Sequence, residues 1–432
     1  MIMNPVHRLE GEITVPGDKS ISHRSVMLGA LAKGTTVVTH FLEGADCLSS
    51  IQCFRSLGVK IHNDPDKGLV RIEGRGLHGL QAPEQILDAG NSGTTTRLIS
   101  GILSAQPFTS MITGDASIQK RPMGRIITPL SMMGAEIESI RGNDCAPLKI
   151  TGQNLHGIHY TSPVASAQVK SAILLAGLYA QGTTRITEPS LSRNHSELML
   201  SAFGAKVSSI PDGSKSYTAA IHPADELYAI DISVPGDISS AAYFIAAGLI
   251  VPNSCITIKN VGINPTRDGI LRVCKAMGAN ITMENIHNEG MEPVADITVR
   301  SQSLHGTVIG GELIPTLIDE IPVIAVLACF ASGTTIIKDA AELKVKESNR
   351  IDTVVEALSA MGARITATED GMIIEGGAPL HGAKIQSYDD HRIAMAFSVA
   401  AMNSESPVEI VGAECIRISY PDFFGDLNAL RY

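Results

Sequence analysis

Several short segments set cations, hydroxyls or carboxylates at the start of an apolar stretch, an arrangement suited to holding an anion and moving protons beside it. Gly17-Asp18-Lys19-Ser20-Ile21-Ser22-His23-Arg24 runs into Ser25-Val26-Met27-Leu28. Asp18 is a natural helix cap, so Lys19 and Ser20 fall in a first turn whose free backbone N–H groups attract anions. Ser20 and Arg24, four residues apart, share a face. A capped surface helix with a solvated Arg is the plainer alternative. The parallel segment Gly236-Asp237-Ile238-Ser239-Ser240 keeps the cap but has no basic residue, and that asymmetry favours function for Lys19 and Arg24.

Asp88-Ala89-Gly90-Asn91-Ser92-Gly93-Thr94-Thr95-Thr96-Arg97 also leads glycines and hydroxyls into a helix. Backbone there can approach a phosphate closely, although a plain capped turn fits equally well. Residues 114–125 gather Lys120, Arg121 and Arg125 among Gly, Ser and Pro, the composition of a loop that closes over an anion or of a solvated turn. Ser166, Gln168 and Lys170 open one Ala/Leu-rich helix, and Ser192-Arg193-Asn194-His195-Ser196-Glu197 opens another. Ile318-Asp319-Glu320-Ile321-Pro322 puts two acids at the entry of an almost wholly apolar helix, where a cap needs one. Lys344-Val345-Lys346-Glu347-Ser348-Asn349-Arg350 is expected to place Lys346 and Arg350 on one helical face beside Glu347. Asp389-Asp390-His391-Arg392 is expected to cap Ile393-Ala394-Met395.

The 432 residues carry a net charge of -10, so the surface as a whole repels nucleic acid and anionic membrane. An anionic substrate then needs a local basic cluster. Lys19, Arg24, Arg121, Arg193, Lys346, Arg350 and Arg392 stand near helix starts, as a cleft for a multiply anionic small ligand requires. Asp319 and Glu347 offer acid–base chemistry there. The seven cysteines are scattered without a C-x-x-C pair, and the histidines lack ligand spacing, so neither a disulfide framework nor a metal is expected. No apolar run is long enough to span a membrane, and strand-like sequence begins at Leu9-Glu10-Gly11-Glu12-Ile13. A cytoplasmic protein is expected.

The elements that position these residues repeat. A helix ending in Gly plus a small residue, then a strand, recurs at Leu57-Gly58-Val59, Met133-Gly134-Ala135, Phe203-Gly204-Ala205, Met277-Gly278-Ala279 and Met361-Gly362-Ala363. A helix, a Gly turn and a β-branched strand recur at Lys33-Gly34-Thr35, Gln181-Gly182-Thr183 and Ser332-Gly333-Thr334. Leu-His-Gly recurs at Leu77, Leu155, Leu304 and Leu380. A period of roughly 70–80 residues leaves room for about six units, each read as strand, helix, strand, helix, strand. Val15-Pro16-Gly17-Asp18 and Val234-Pro235-Gly236-Asp237 divide them into two related α/β domains, 18–234 and 1–17 plus 235–432, with a ligand cleft expected between them. Gly74-Arg75-Gly76-Leu77-His78-Gly79 fits a dinucleotide fingerprint, but Leu80-Gln81-Ala82-Pro83 follows instead of an apolar helix, so a turn is expected.

Val15-Pro16-Gly17-Asp18-Lys19-Ser20, Gly90-Asn91-Ser92-Gly93-Thr94, Gly114-Asp115-Ala116-Ser117 with Arg121-Pro122-Met123, Val345-Lys346-Glu347-Ser348 and Asp390-His391-Arg392 together resemble the EPSP synthase family, in the right order over essentially the whole chain. The resemblance implies two domains of three βαβαββ units each, and a cytoplasmic monomer that moves the enolpyruvyl group of phosphoenolpyruvate onto shikimate 3-phosphate without cofactor or metal. It implies that Lys19, Ser20, Arg24, Ser166, Gln168, Arg193, Asp319 and Lys346 hold shikimate 3-phosphate. Lys19, Gly93, Arg121, Gln168, Arg350 and Arg392 would hold phosphoenolpyruvate. Asp319, Glu347 and Lys19 would be catalytic. The enolpyruvyl transferase acting on UDP-N-acetylglucosamine is the nearest alternative, but its mobile-loop Cys has no counterpart in residues 114–125. A related fold serves RNA 3′-phosphate cyclase, which the negative net charge disfavours. A non-catalytic anion-binding module would leave Asp319 and Glu347 without purpose. One departure stands out: the Lys that many members carry before the final Pro-Asp is Ile418 here, and Arg417, if on a strand, would face the other way.

Overall fold

Each Gly-plus-small-residue marker proves to be a helix end. The computed structural model describes residues 1–213 and 216–431, and in it Gly58, Gly134, Gly204, Gly278 and Gly362 all have φ between 85° and 97°. Just before them end the helices α2 (Ala45–Ser56), α4 (Gly124–Met132), α6 (His195–Ala202), α8 (Gly269–Ala276) and α10 (Arg350–Ala360). The next residue's N–H returns to a carbonyl five residues back, as from Ala135 to Leu130 at 3.0 Å and from Ala363 to Leu358 at 2.9 Å. This closure needs a left-handed residue, which is why Gly recurs.

The three repeat markers meet in space. His156, His305 and His381 donate their backbone N–H to Met133, Met277 and Met361 at 2.9–3.0 Å. Gly157 and Gly306 donate to the carbonyls of Gln181 and Ser332, at 2.8 and 2.7 Å. Leu-His-Gly is therefore the clip between one helix end and the next strand. Gly74-Arg75-Gly76 is the end of the strand Leu69–Arg75 and a turn, as expected.

The chain divides into two compact units, Gly17–Val234 and Met1–Pro16 with Pro235–Tyr432. Both are mixed α/β, built from small mixed sheets. In the first unit, Leu87–Asp88 lies parallel to Thr109–Thr113, which pairs antiparallel with Leu148–Thr151, and that strand in turn pairs antiparallel with Glu136–Ser139. The same order holds for His159–Thr161, Thr184–Glu188, Ser216–Ile221 and Val207–Asp212. In the second unit it holds for Glu10–Thr14, Cys255–Gly262, Glu292–Arg300 and Thr282–Glu289. A closing hairpin supplies two strands where the pattern of residues alone suggested one. No helix among the described residues is long and apolar enough to cross a membrane.

At the centre of the first unit, α1 (Lys19–Leu31), α3 (Gly93–Leu103) and α5 (Ala167–Gly177) are largely buried. In the second, α7 (Ile238–Ile250), α9 (Ile321–Phe330) and α11 (His391–Met402) are apolar nearly all round and form its core, as buried helices must. A short helix, α12 (Phe423–Ala429), follows. Helices α3 and α5 cross where a Cβ on Gly101 would lie 2.2 Å from the Ala172 carbonyl oxygen, so only Gly permits their approach. Gly101→Ala should lower stability by roughly 1–3 kcal/mol through overpacking, read from urea denaturation. An unchanged midpoint would show that the two helices are not held at that crossing.

Candidate active site

The six buried helices deliver their first turns, not their middles, to polar surroundings. In the first unit Asp18 caps α1, accepting from the Ile21 N–H at 2.9 Å. Lys19, the first residue of α1, is ion-paired with Asp46. Arg24 is buried and fully directed: Nε donates to Ser196 Oγ at 2.6 Å, Nη2 to Ser171 Oγ at 2.8 Å and Nη1 to the Ser20 carbonyl at 3.0 Å. Sequence spacing put Ser20 and Arg24 together; Ser196 was named only within the run that opens α6, without a link to Arg24, and Ser171, inside α5, was not named.

At α3, Ser92 caps the helix through the Thr95 N–H at 3.0 Å and leaves Gly93 in the first turn. A Cβ on Gly93 would lie 2.8 Å from Arg97 Nη1 and 3.3 Å from Arg121 Nη1, so a methyl group would displace guanidinium groups. Arg97 also donates to Gln168 Oε1 at 2.6 Å, while Gln168 Nε2 donates to Thr94 Oγ1 at 3.1 Å. Gly93, Arg121 and Gln168 therefore gather around Arg97, which the sequence reading named without assigning it a role. Arg121 itself donates to Asn91 Oδ1 at 2.8 Å and Ser117 Oγ at 3.2 Å. Ser166 is the cap of α5, and Arg193 lies half-buried in the loop before α6.

A chain of buried neutral groups ties α1 to α3: His23 Nδ1 to Ser50 Oγ, Ser50 to Thr95 Oγ1, and Thr95 to Ser92 Oγ, each at 2.8 Å. Burial, then the charges of Lys19 and Arg24, hold the His23 imidazole well below its usual value. It is accordingly a neutral spacer.

In the second unit Asp319 and Glu320 precede α9, and Glu320, at the cap position, makes no side-chain capping bond. Asp319 lies 3.3 Å from Arg350 Nη1, 3.7 Å from Lys346 Nζ and 3.8 Å from Arg392 Nη2. Glu347 is 2.6 Å from Arg350 Nη2. Arg350 is only 1% exposed and is gripped from the far side by Asp390, at 2.8 and 3.2 Å. Asp390 also caps α11 through the Arg392 N–H at 3.0 Å. Burial raises the Asp390 carboxyl, yet Arg350 more than offsets it and leaves the group below its ordinary range.

Two expectations need correction. Lys346 and Glu347 do not share a helical face with Arg350: Asn349 caps α10 by accepting from the Asp352 N–H, so the helix begins only at Arg350. They reach the site from the loop after the 3₁₀ turn Ala341–Val345. Arg417 and Ile418 lie not on a strand but in a 3₁₀ turn, Ala413–Ile418. Ile418 packs against the core and Arg417 is exposed.

The sequence pattern described as EPSP synthase (3-phosphoshikimate 1-carboxyvinyltransferase) matches residues 3–427. The 3-phosphoshikimate 1-carboxyvinyltransferase of Geobacillus kaustophilus (strain HTA426) is 56% identical over 427 residues, covering 98% of each chain. That of Bacillus subtilis (strain 168) is 54% identical over 431 residues, covering 100% of this chain and 99% of its own. A solved structure of EPSP synthase from Acinetobacter baumannii has a TM-score of 0.88 at 46% identity, covering 100% of this chain and 97% of that one.

The Asp390–Arg350 pair yields a pH-dependent prediction. Because folding holds the Asp390 carboxyl below its ordinary value of 3.8, its stabilisation is present above that value and disappears as pH falls through the lower folded-state value. Asp390→Asn should cost roughly 3–5 kcal/mol at neutral pH by leaving Arg350 buried with less compensation. Urea denaturation should show the gap between the two proteins narrowing below pH 4, whereas a constant gap would contradict the assignment.

Proposed function

The chain belongs to the EPSP synthase family and carries its 3-phosphoshikimate 1-carboxyvinyltransferase activity, and we propose that it does so by addition and elimination at the residues described above. The substrates are shikimate 3-phosphate and phosphoenolpyruvate. The 5-hydroxyl oxygen of shikimate 3-phosphate adds to C2 of phosphoenolpyruvate as C3 gains a proton, giving a tetrahedral intermediate. Loss of a C3 proton and of phosphate then restores the double bond as an enol ether. Each half-reaction needs one group that takes a proton and one that gives it, and cations must hold the migrating negative charge.

Asp319 and Glu347 are assigned the proton transfers, with Lys19 beside the phosphate that leaves. Ser20, Arg24, Ser166, Gln168, Arg193, Asp319, Lys346 and Lys19 are assigned to shikimate 3-phosphate. Gly93, Arg121, Gln168, Arg350, Arg392 and Lys19 are assigned to phosphoenolpyruvate. The observation that carries this reading is the gathering of Asp319 with Lys346, Arg350 and Arg392, within 3.3–3.8 Å, with Glu347 bonded to the same Arg350. Two proton-transfer groups stand among three cations at the starts of α9, α10 and α11. Arg350 gives Nε and Nη2 to Asp390 and Glu347 and turns Nη1 to Asp319 at 3.3 Å, and this Nη1 edge is the one assigned to the phosphoenolpyruvate carboxylate.

We read the sheets as six βαβαββ units, three in each of two similar domains, the last shortened to Lys384–Gln386, α11 and Val408–Val411 with Ile2–Met3 alongside. A cytoplasmic monomer is our reading of the assembly and its location. The cysteines are free thiols, which suits a reducing compartment.

Asp319→Asn and Glu347→Gln should each lower kcat by roughly a hundred- to ten-thousand-fold, the range of a positioned acid or base. Asp319→Asn should also raise KM for shikimate 3-phosphate. Near-normal kcat in both variants would sink the assignment. Burial pushes the Cys53, Cys274, Cys329 and Cys415 thiols up to about 12, and no cysteine is assigned a role in the reaction, so iodoacetamide treatment of the folded enzyme should leave turnover intact. Inactivation without unfolding would place a thiol in the chemistry.

A further inference from the structure

Lys170 is a full charge taken almost wholly out of water, only 1% exposed, and the mechanism above makes no use of it. Its ammonium lies 2.8 Å from Glu197 and 3.1 Å from Glu188, and donates to the Ser192 carbonyl at 3.2 Å. An ammonium has three N–H bonds, and three protein acceptors surround this one, so it points inward and not toward a ligand. Burial alone would lower its affinity for a proton, but Glu197 and Glu188 outweigh that and keep it charged.

What the triad touches is more telling than its own balance. Glu188 accepts from the Ser166 N–H at 2.8 Å and from Ser192 Oγ at 2.8 Å. Lys170 thereby locks the cap of α5 to the loop that carries Arg193. The residues next in sequence do the same one step away: Ser171 of α5 and Ser196 of α6 share a hydrogen bond of 2.6 Å, and both receive the Arg24 guanidinium. Ion pair and hydroxyl pair bridge the same two helices, and Arg24 rests on the second bridge. Such a buried ion cluster is a poor source of stability, because well-packed apolar residues would serve as well or better.

We propose that Lys170 is a positioning residue for shikimate 3-phosphate, setting Ser166, Arg193 and Arg24 through its contacts with Glu188, Glu197 and Ser192. This rests on the assignment of those three residues to that substrate. A lysine in this role acts mainly on one substrate, since the phosphoenolpyruvate groups Arg350 and Arg392 are organised by Asp390 and Asp319, and Gln168, which serves both substrates, is held by Arg97 and Thr94 of α3.

The test uses Lys170→Met/Glu197→Gln, which keeps the net charge of the buried cluster while removing the lock. Calorimetric titration with shikimate 3-phosphate should give a dissociation constant raised about tenfold or more, as expected when binding groups are misplaced by a fraction of an ångström. KM for phosphoenolpyruvate, at saturating shikimate 3-phosphate, should stay within about twofold. Lys170→Arg provides a second variant should the first not fold. Its planar fork keeps the charge but cannot copy three contacts splayed around one nitrogen, and it should show the same selective loss. Unchanged affinity for shikimate 3-phosphate in a folded variant, or equal losses for both substrates, would overturn the positioning role. A wild-type protein that fails to bind shikimate 3-phosphate would overturn the functional reading and this inference with it.

Discussion

Arg350 gives up nearly all its hydration, and the Asp390 carboxylate that answers it, also fully buried, fixes much of what surrounds them. A guanidinium in such a place is tolerable only with opposite charge close by and its donors satisfied. Asp390 meets that demand while capping α11, so the charge pair and the helix start become one object. Asp319 and Glu347 meet the same guanidinium from its other edges. Two carboxylates are thus held as neighbours by a cation that cannot move away. The Arg24 site answers the same constraint by other means, with serine hydroxyls and a carbonyl around the guanidinium.

The fold makes these meetings possible by burying whole helices. A helix that is apolar on all sides sinks to the centre of a unit, and its axis then carries the partial positive charge of its first turn to one place. Three buried helices in each unit bring their starts together. Contacts between α3 and α5 at Gln168, between α1 and α5 at Arg24, and between α11 and α9 at Asp319 record that convergence. The small mixed sheets, joined by Leu-His-Gly clips, set the spacing at which it happens.

Much of this was legible in the sequence, for reasons that lie in backbone chemistry. Gly closed the helices at Gly58, Gly134, Gly204, Gly278 and Gly362 because no other residue takes that conformation cheaply. Asp18, Ser92, Ser166 and Asp390 all capped helices because their side chains accept from free N–H groups. What stayed hidden was long-range. Nothing local marks Ser196 as a partner of Arg24, 172 residues away, or Glu188 as the partner of Lys170. Lys346 and Glu347 were placed on a helix because i, i+4 charges look helical. Asn349, read as part of the run, was the cap that ended the preceding loop. The residue pattern alone read one strand after each second helix; its hairpin partner, such as Leu148–Thr151, entered only through the family resemblance, because four residues offer little alternation to read.

The acceptor hydroxyl decides which reaction these residues serve. Phosphate release from phosphoenolpyruvate should be measured with the purified protein in the presence of shikimate 3-phosphate, and in parallel with UDP-N-acetylglucosamine. Release should depend on shikimate 3-phosphate, with one phosphate for each enol ether formed, and none should appear with the nucleotide sugar. Release driven by UDP-N-acetylglucosamine, or a folded protein inert toward shikimate 3-phosphate, would contradict the assignment.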